Sequence, residues 1–375
     1  MPAALEELYR PGLEGIIAGE TAVSTVEQDD LAYRGYTIEE LAKQSTFPEV
    51  AYLLLYGELP TRPQLAEFTA TIDAHRELPR EVVETIRQIP KSARGMDMLR
   101  TAVSMLGHFD PAQGDSKAAE IKRAIQLLAA VPTMIATRLR FLDGKNPVAP
   151  KAGLSHAAQF FWQAFERVPT ELEERVMDLT LILYAEHEFN ASAFAARVCV
   201  STLSDMYSSI VTGIGTLKGP LHGGANEEAM EMIARFKSGP EARAWAEHAL
   251  VSKEKIMGFG HRVYKNGDHR ARILEPFTRK LGELRKEMFR MDVYDAIKDV
   301  MWTRKQIYPN VDYPCGLAYF YMGLPIDVYT PLFVASRVSG WAAHVIEQRE
   351  NNRLIRPRSR YNGPAIRKYV PMTSR

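Results

Sequence analysis

Two cysteines in 375 residues, Cys199 and Cys315, leave no disulfide framework and no thiol cluster to hold a metal. So sparing a use fits a reducing cytoplasm. An excess of charge of one sign is missing too. Lys and Arg number 47 against 46 Asp and Glu, and the net of +1 excludes the basic field of a nucleic-acid binder or a membrane-surface protein. Apolar runs such as LTLILYA (residues 179–185) fall far below the ~20 residues that span a bilayer. The opening MPAALEELYRPGLEGII has acids where a signal peptide carries bases, and no apolar stretch follows. Neither glycine-rich loop completes a dinucleotide fingerprint. GFGHRV (258–263) has Val263 where the third glycine belongs, and GIGTLKG (213–219) fails in the same way. No βαβ alternation, fixed-period repeat or low-complexity segment occurs, which excludes Rossmann, barrel and solenoid classes.

Helix signals are what remain. Thr37-x-x-Glu40, Thr46-x-x-Glu49 and Thr61-x-x-Gln64 each pair an N-cap hydroxyl with an acceptor three residues on, ahead of apolar-periodic sequence. Helices are expected over 48–57, between Pro79 and Pro90, over 96–107, over 117–142 with a kink at Pro132, over 171–184, and from 193 to about 214. Only residues 20–26 and 31–36 lean towards strand, and the acidic EQDD between them predicts one small hairpin. The fold class is therefore all-α with an N-terminal β-hairpin. After residue 223 the texture turns more charged, which marks residues 224–322 as a smaller helical domain set into a larger one of 1–223 and 323–375. Beyond Glu350 there is no acid, while Arg353, Arg356, Arg358, Arg360, Arg367, Lys368 and Arg375 follow. A charge run is usually a solvated face, but the aromatics and prolines among these suggest a tail packed on something.

Four breaks in the helical pattern carry titratable groups: His187 in AEHEFNAS, His222 in KGPLHGGANEE, His261 in GFGHRVYK, and Asp312 between Pro309 and Pro314. Taken singly, each has a bland reading. His187 could cap a helix C-terminus, and Asp312 could make an Asx turn. His248 and His269 show no such context and are expected at the surface. Together, three imidazoles and a carboxylate beside glycines that admit a ligand suit two chemistries. Zinc is one, but no close histidine pair supplies a metal-binding helix. Acid–base work on a carbonyl compound is the other, and Arg270, Arg337 and Arg356, each near a break, could fork onto a carboxylate.

HEFNAS, GPLHGGANE, GFGHRVYK, YPNVDY, TPLFVASRVSGWAAHVIEQ and RLIRPRSRY, with the early YRGYTIEELA and EVAYLLLYGELPT, strongly resemble the citrate synthase family in its short bacterial and archaeal form. The resemblance runs nearly end to end. It implies a cytoplasmic homodimer whose small domain closes over acetyl-CoA and oxaloacetate, both substrates, with no cofactor or metal. Asp312 would take the methyl proton, His222 would hydrogen-bond the thioester oxygen, and His261 would protonate the oxaloacetate carbonyl oxygen. His187, Arg270, Arg337 and, from the partner subunit, Arg356 would hold oxaloacetate. Lys265 would meet a CoA phosphate, with Arg262 added for its proximity. The chain departs from the family at Ala193, where Thr is usual, and at His269, where Pro is usual; losing that Pro would loosen the loop presenting Arg270. A 2-methylcitrate synthase, using propionyl-CoA, is the nearest alternative, and Leu221 in GPLHGG leans towards the acetyl enzyme. A helical binding protein without catalysis is the alternative from another class.

Overall fold

The computed structural model describes residues 9–26, 31–261, 264 and 266–375. The N-terminal sheet has three two-residue strands, β1 (Ser24–Thr25), β2 (Ala32–Tyr33) and β3 (Tyr36–Thr37), antiparallel in the order β1-β2-β3. The expected second strand thus folds back on itself. Arg34 and Gly35 both have positive φ (49° and 88°), the two-residue turn whose twist matches antiparallel strands. The acidic turn expected at 27–30 lies outside the described residues.

Helices follow in sequence: α1 (Ile38–Gln44), α2 (Phe47–Tyr56), α3 (Arg62–Ala74), α4 (Arg80–Gln88), α5 (Gly95–Leu106), α6 (Lys117–Leu142), α7 (His156–Phe165) and α8 (Glu171–Tyr184). Thr37 caps α1 by accepting the Glu40 N–H, and the Gln64 side chain returns to the Thr61 N–H ahead of α3. Thr46 makes no such cap. The first-turn N–H of Phe47 donates instead to Asp178 Oδ1 at 3.0 Å, from α8. One element, α6, runs through Pro132. By length and composition α6 could cross a membrane, but 89% of its most apolar window is buried inside the fold.

The helix expected from 193 to 214 is two helices, α9 (Ala191–Ser201) and α10 (Met206–Leu217). Leu203 turns left-handed at φ 71°, and Asp205 restarts the helix by accepting the Ser208 N–H. Next come α11 (Ala225–Ala234), α12 (Gly239–Ser252), α13 (His269–Arg285), α14 (Phe289–Lys305), α15 (Asp312–Tyr321) and α16 (Tyr329–Glu350).

Helix α16 is the centre of the core. It is buried along most of its length and packs on α2, α5, α6, α8, α9 and α10. Within residues 224–322, α12 lies on α14, while α11 and α13 lie on α15. This group meets the rest where α13 touches α1 and α8 and where α11 touches α16. The loops expected to carry chemistry fall along that junction.

Candidate active site

Asp312 is the first residue of α15, not part of a free loop, and its half-buried carboxylate accepts a 2.6 Å hydrogen bond from the Tyr184 hydroxyl at the end of α8. Desolvation pushes its pKa up to about 6, against the Tyr184 hydrogen bond and the Arg270 charge, which pull it down. The result is a stronger base than an exposed aspartate, still mostly ionised at neutral pH.

His222 sits between Leu221 and Gly223, and its Nε2 accepts the Ser192 backbone N–H at 3.2 Å. A nitrogen that accepts from an amide carries no proton, so the neutral ring holds its proton on Nδ1. Ser192 is locked in turn: its N–H is the second in α9, and its Oγ lies 2.8 Å from His222 Nε2 and accepts from Trp341 Nε1 at 3.1 Å. Burial, then the Arg337 charge, lowers His222 to about 4. It is a neutral hydrogen-bond donor at working pH.

His261 resolves the same way with its nitrogens exchanged. Its Nδ1 accepts the Tyr264 N–H at 3.2 Å, which leaves the proton on Nε2. Burial and then Arg270 lower it to about 4 as well. The His187 ring lies 5.0 Å from the His261 ring, and His187 Nε2 is 2.9 Å from the Tyr264 hydroxyl. Burial, followed by Arg270, holds His187 well below its ordinary value.

Two buried guanidinium groups face this cluster. Arg270 pairs bidentately with Asp268, Nε to Oδ1 at 3.0 Å and Nη2 to Oδ2 at 2.9 Å. Asp268 also accepts the Arg270 and Val311 N–H groups, which fixes the start of α13 with His269 as its first residue. Arg337 donates through Nε to the Tyr184 carbonyl at 2.6 Å and lies over the Phe333 ring.

The citrate synthase C-terminal domain family matches residues 12–358 of this sequence. A 2-methylcitrate synthase from Shewanella oneidensis is 46% identical over 377 residues, 99% of both chains. The citrate synthase of Mycolicibacterium smegmatis is 42% identical over 362 residues, 96% of each. Among solved structures, a ternary complex of citrate synthase from Thermoplasma acidophilum with carboxymethyl coenzyme A and oxaloacetate superposes with a TM-score of 0.91. That protein is 36% identical, over 97% of this chain and 99% of the other.

The chain belongs to the citrate synthase family. For a citrate synthase family enzyme the geometry brings His187, His261, Arg270 and Tyr264 together, while Tyr184 links Asp312 to Arg337. His222 is tied to Ser192, whose hydroxyl meets Asn190 Oδ1, and Asn190 Nδ2 donates to the His187 carbonyl. Arg356 stands apart, exposed in the tail beyond α16. Lys265 and Arg262 lie outside the described residues. His269, expected at the surface, is half-buried, with Nδ1 3.4 Å from Glu39 of α1; His248 is exposed. Sequence reasoning missed Tyr184, Ser192, Tyr264 and Asp268. Only Asp268 had a local signal, since Asp two residues before a helical Arg is an N-cap in position to pair with it.

Tyr184 gives the first test. Its hydroxyl favours the ionised form of Asp312, so Tyr184→Phe should raise the Asp312 pKa and move the acid limb of the kcat/KM profile to higher pH. A limb that stays or moves down would show that the hydrogen bond does not tune the base.

Proposed function

We propose that this member of the citrate synthase family condenses acetyl-CoA with oxaloacetate and water to give citrate and CoA. What supports the reading is that the chain holds both a desolvated carboxylate, Asp312 at about pKa 6, and a neutral His222 whose only proton is on Nδ1. Asp312 takes a proton from the acyl methyl group. His222 Nδ1–H steadies the thioester oxygen as negative charge develops there, the larger part of the barrier that a weak base leaves. The enolate carbon attacks the oxaloacetate ketone, and His261 Nε2–H protonates the oxygen that becomes the hydroxyl. Water then cleaves the thioester. His187, Arg270 and Arg337 hold the dicarboxylate, with Arg356 contributed by the partner in a homodimer. Lys265 and Arg262 serve the CoA phosphates. The reaction needs no cofactor or metal, and the enzyme works in the cytoplasm, in the tricarboxylic acid cycle.

His261 and Arg270 lie within residues 224–322, and His187 and Arg337 outside them, so a dicarboxylate held by all four ties the two parts together. That places oxaloacetate first in the binding order.

Propionyl-CoA is a second donor with a specific basis, the 46% identical relative named 2-methylcitrate synthase. One methylene is worth about 1–3 kcal/mol of discrimination, so a preference of roughly 10–200-fold either way is within reach of the same residues. Oxaloacetate-dependent CoA release, measured with both donors on the active species sized in solution, is the experiment. A higher kcat/KM with acetyl-CoA supports the first reading, and a higher one with propionyl-CoA replaces it by the second. No release with either would return the chain to a binding role.

A further inference from the structure

A chain of buried groups lies behind Arg337. Glu186, one residue before His187, and His344 of α16 have no exposed surface. Arg197 Nη1 donates to His344 Nδ1 at 2.9 Å, and a guanidinium can only donate. His344 is therefore a neutral ring in this geometry, and its Nε2–H donates to Glu186 Oε1 at 2.9 Å. Arg197 has its own carboxylate, Glu347 Oε2 at 2.6 Å. His344 is thus a neutral donor to Glu186, whose ionised form it and Arg337 favour.

Glu186 packs against Gly340, one turn beyond Arg337 on α16. Arg337 Nε donates to the Tyr184 carbonyl two residues before Glu186, which sets the carboxylate near the guanidinium. Burial lowers the Arg337 pKa, and Glu186 leads the groups that oppose this. Conversely, burial would favour the neutral acid at Glu186, but the contact with His344 and the Arg337 charge hold it below its ordinary value. The position is tightly built. The Tyr33 hydroxyl donates to the Glu186 carbonyl at 3.0 Å, and Ser24 Oγ donates to Glu186 Oε1 at 3.2 Å while accepting the Glu188 N–H at 2.8 Å. A side chain at Gly340 would overlap Glu186 Oε2 and the Ala185 carbonyl, so glycine is what lets α16 lie against this turn. Oε2 itself is buried with no hydrogen-bond partner among the described residues, a poor arrangement for stability alone.

We propose that Glu186, oriented by His344, is a positioning residue whose negative charge offsets Arg337 and so limits how tightly the dicarboxylate substrate and the citrate product are held. This rests on the oxaloacetate reading of the site. A charge that offsets Arg337 competes with any anion Arg337 binds, so removing it strengthens anion binding.

Glu186→Gln keeps the shape and deletes the charge. The KM for oxaloacetate and the inhibition constant of citrate should both fall about 3–30-fold, with kcat falling as product release slows. A merely structural role predicts a lower melting temperature and less active enzyme, with KM unchanged or raised. The His344 variants make an independent arm. His344→Gln can still accept from Arg197 and donate to Glu186, and should behave as wild type. His344→Leu removes the donor, lets the buried acid take up a proton, and should lower both constants as Glu186→Gln does. An unchanged or raised KM in Glu186→Gln overturns the proposal, as does His344→Gln behaving like His344→Leu. If Glu186→Gln fails to fold, the His344 pair decides alone. Should wild type release no CoA on adding oxaloacetate, the reading of the site fails instead.

Discussion

Asp312→Asn should lower kcat by about 10²–10⁴, the usual contribution of a positioned general base, equivalent to about 3–5 kcal/mol of barrier. The amide is nearly isosteric, and its carbonyl can still accept from the Tyr184 hydroxyl, while the Asp312 N–H keeps its bond to Asn310 Oδ1 at 3.1 Å. Oxaloacetate binding should survive, because Arg270, Arg337 and His187 are untouched. The stability change has a definite sign. The folded pKa is about 6 against an ordinary 3.8, so the folded state binds a proton that the unfolded chain has already released. The ionised carboxylate therefore weakens the fold progressively as pH rises to about 6, and fully above it. Asn carries no such cost. At pH 8 the variant should melt at the same temperature as wild type or higher, while turning over far more slowly. Near-wild-type turnover would remove Asp312 from the base role; a large loss of stability would make the rate loss uninterpretable as chemistry and point to a structural carboxylate.

The helical frame and the order of the site motifs were legible in the sequence because they rest on local physics. Proline brackets set α4, and a capping signal opens α3, within a few residues of each effect. What failed was decided at long range or masked by composition. The hydroxyl of Thr46 promised a cap, but Pro48 removes the N2 donor, and the first N–H of the helix, on Phe47, is taken by Asp178, 131 residues beyond Phe47. The apolar run across 193–214 hid the Asp205 cap, and Arg34-Gly35 hid a turn inside an apparent strand. The same distinction divides the site. His187, His222, His261 and Asp312 stand out because each breaks a helical pattern. Tyr184 does not: it ends an apolar helix like any core tyrosine, and only the meeting of α8 with α15, 128 residues on, makes it a partner of Asp312. Glu186 and His344 are further apart still, and nothing in either neighbourhood announces the other.

Asp268 carries the largest expected effect on stability. It is buried, caps α13, binds the Val311 N–H just ahead of Asp312, and neutralises Arg270 through two charge-assisted hydrogen bonds. Burial would raise its pKa, but Arg270 leads the groups that hold it below the ordinary value, and Asp268 in turn overcomes the burial that would lower Arg270. Removing one member of such a pair leaves the other charged and unpaired. Asp268→Ala should therefore cost about 3–5 kcal/mol in urea unfolding. Two causes are mixed in that figure, the bare guanidinium and the lost cap, and a second variant separates them. Asp268→Ala with Arg270→Met removes the charge as well and should recover all but about 1–2 kcal/mol, the share of the missing N-cap and backbone acceptor. A single variant within about 1 kcal/mol of wild type would mean that water reaches Arg270 as well as Asp268 does. A double variant no better than the single would assign the cost to the amides of Arg270 and Val311. In that event Asp268 matters chiefly as the clasp between the starts of α13 and α15, which between them carry Arg270 and Asp312.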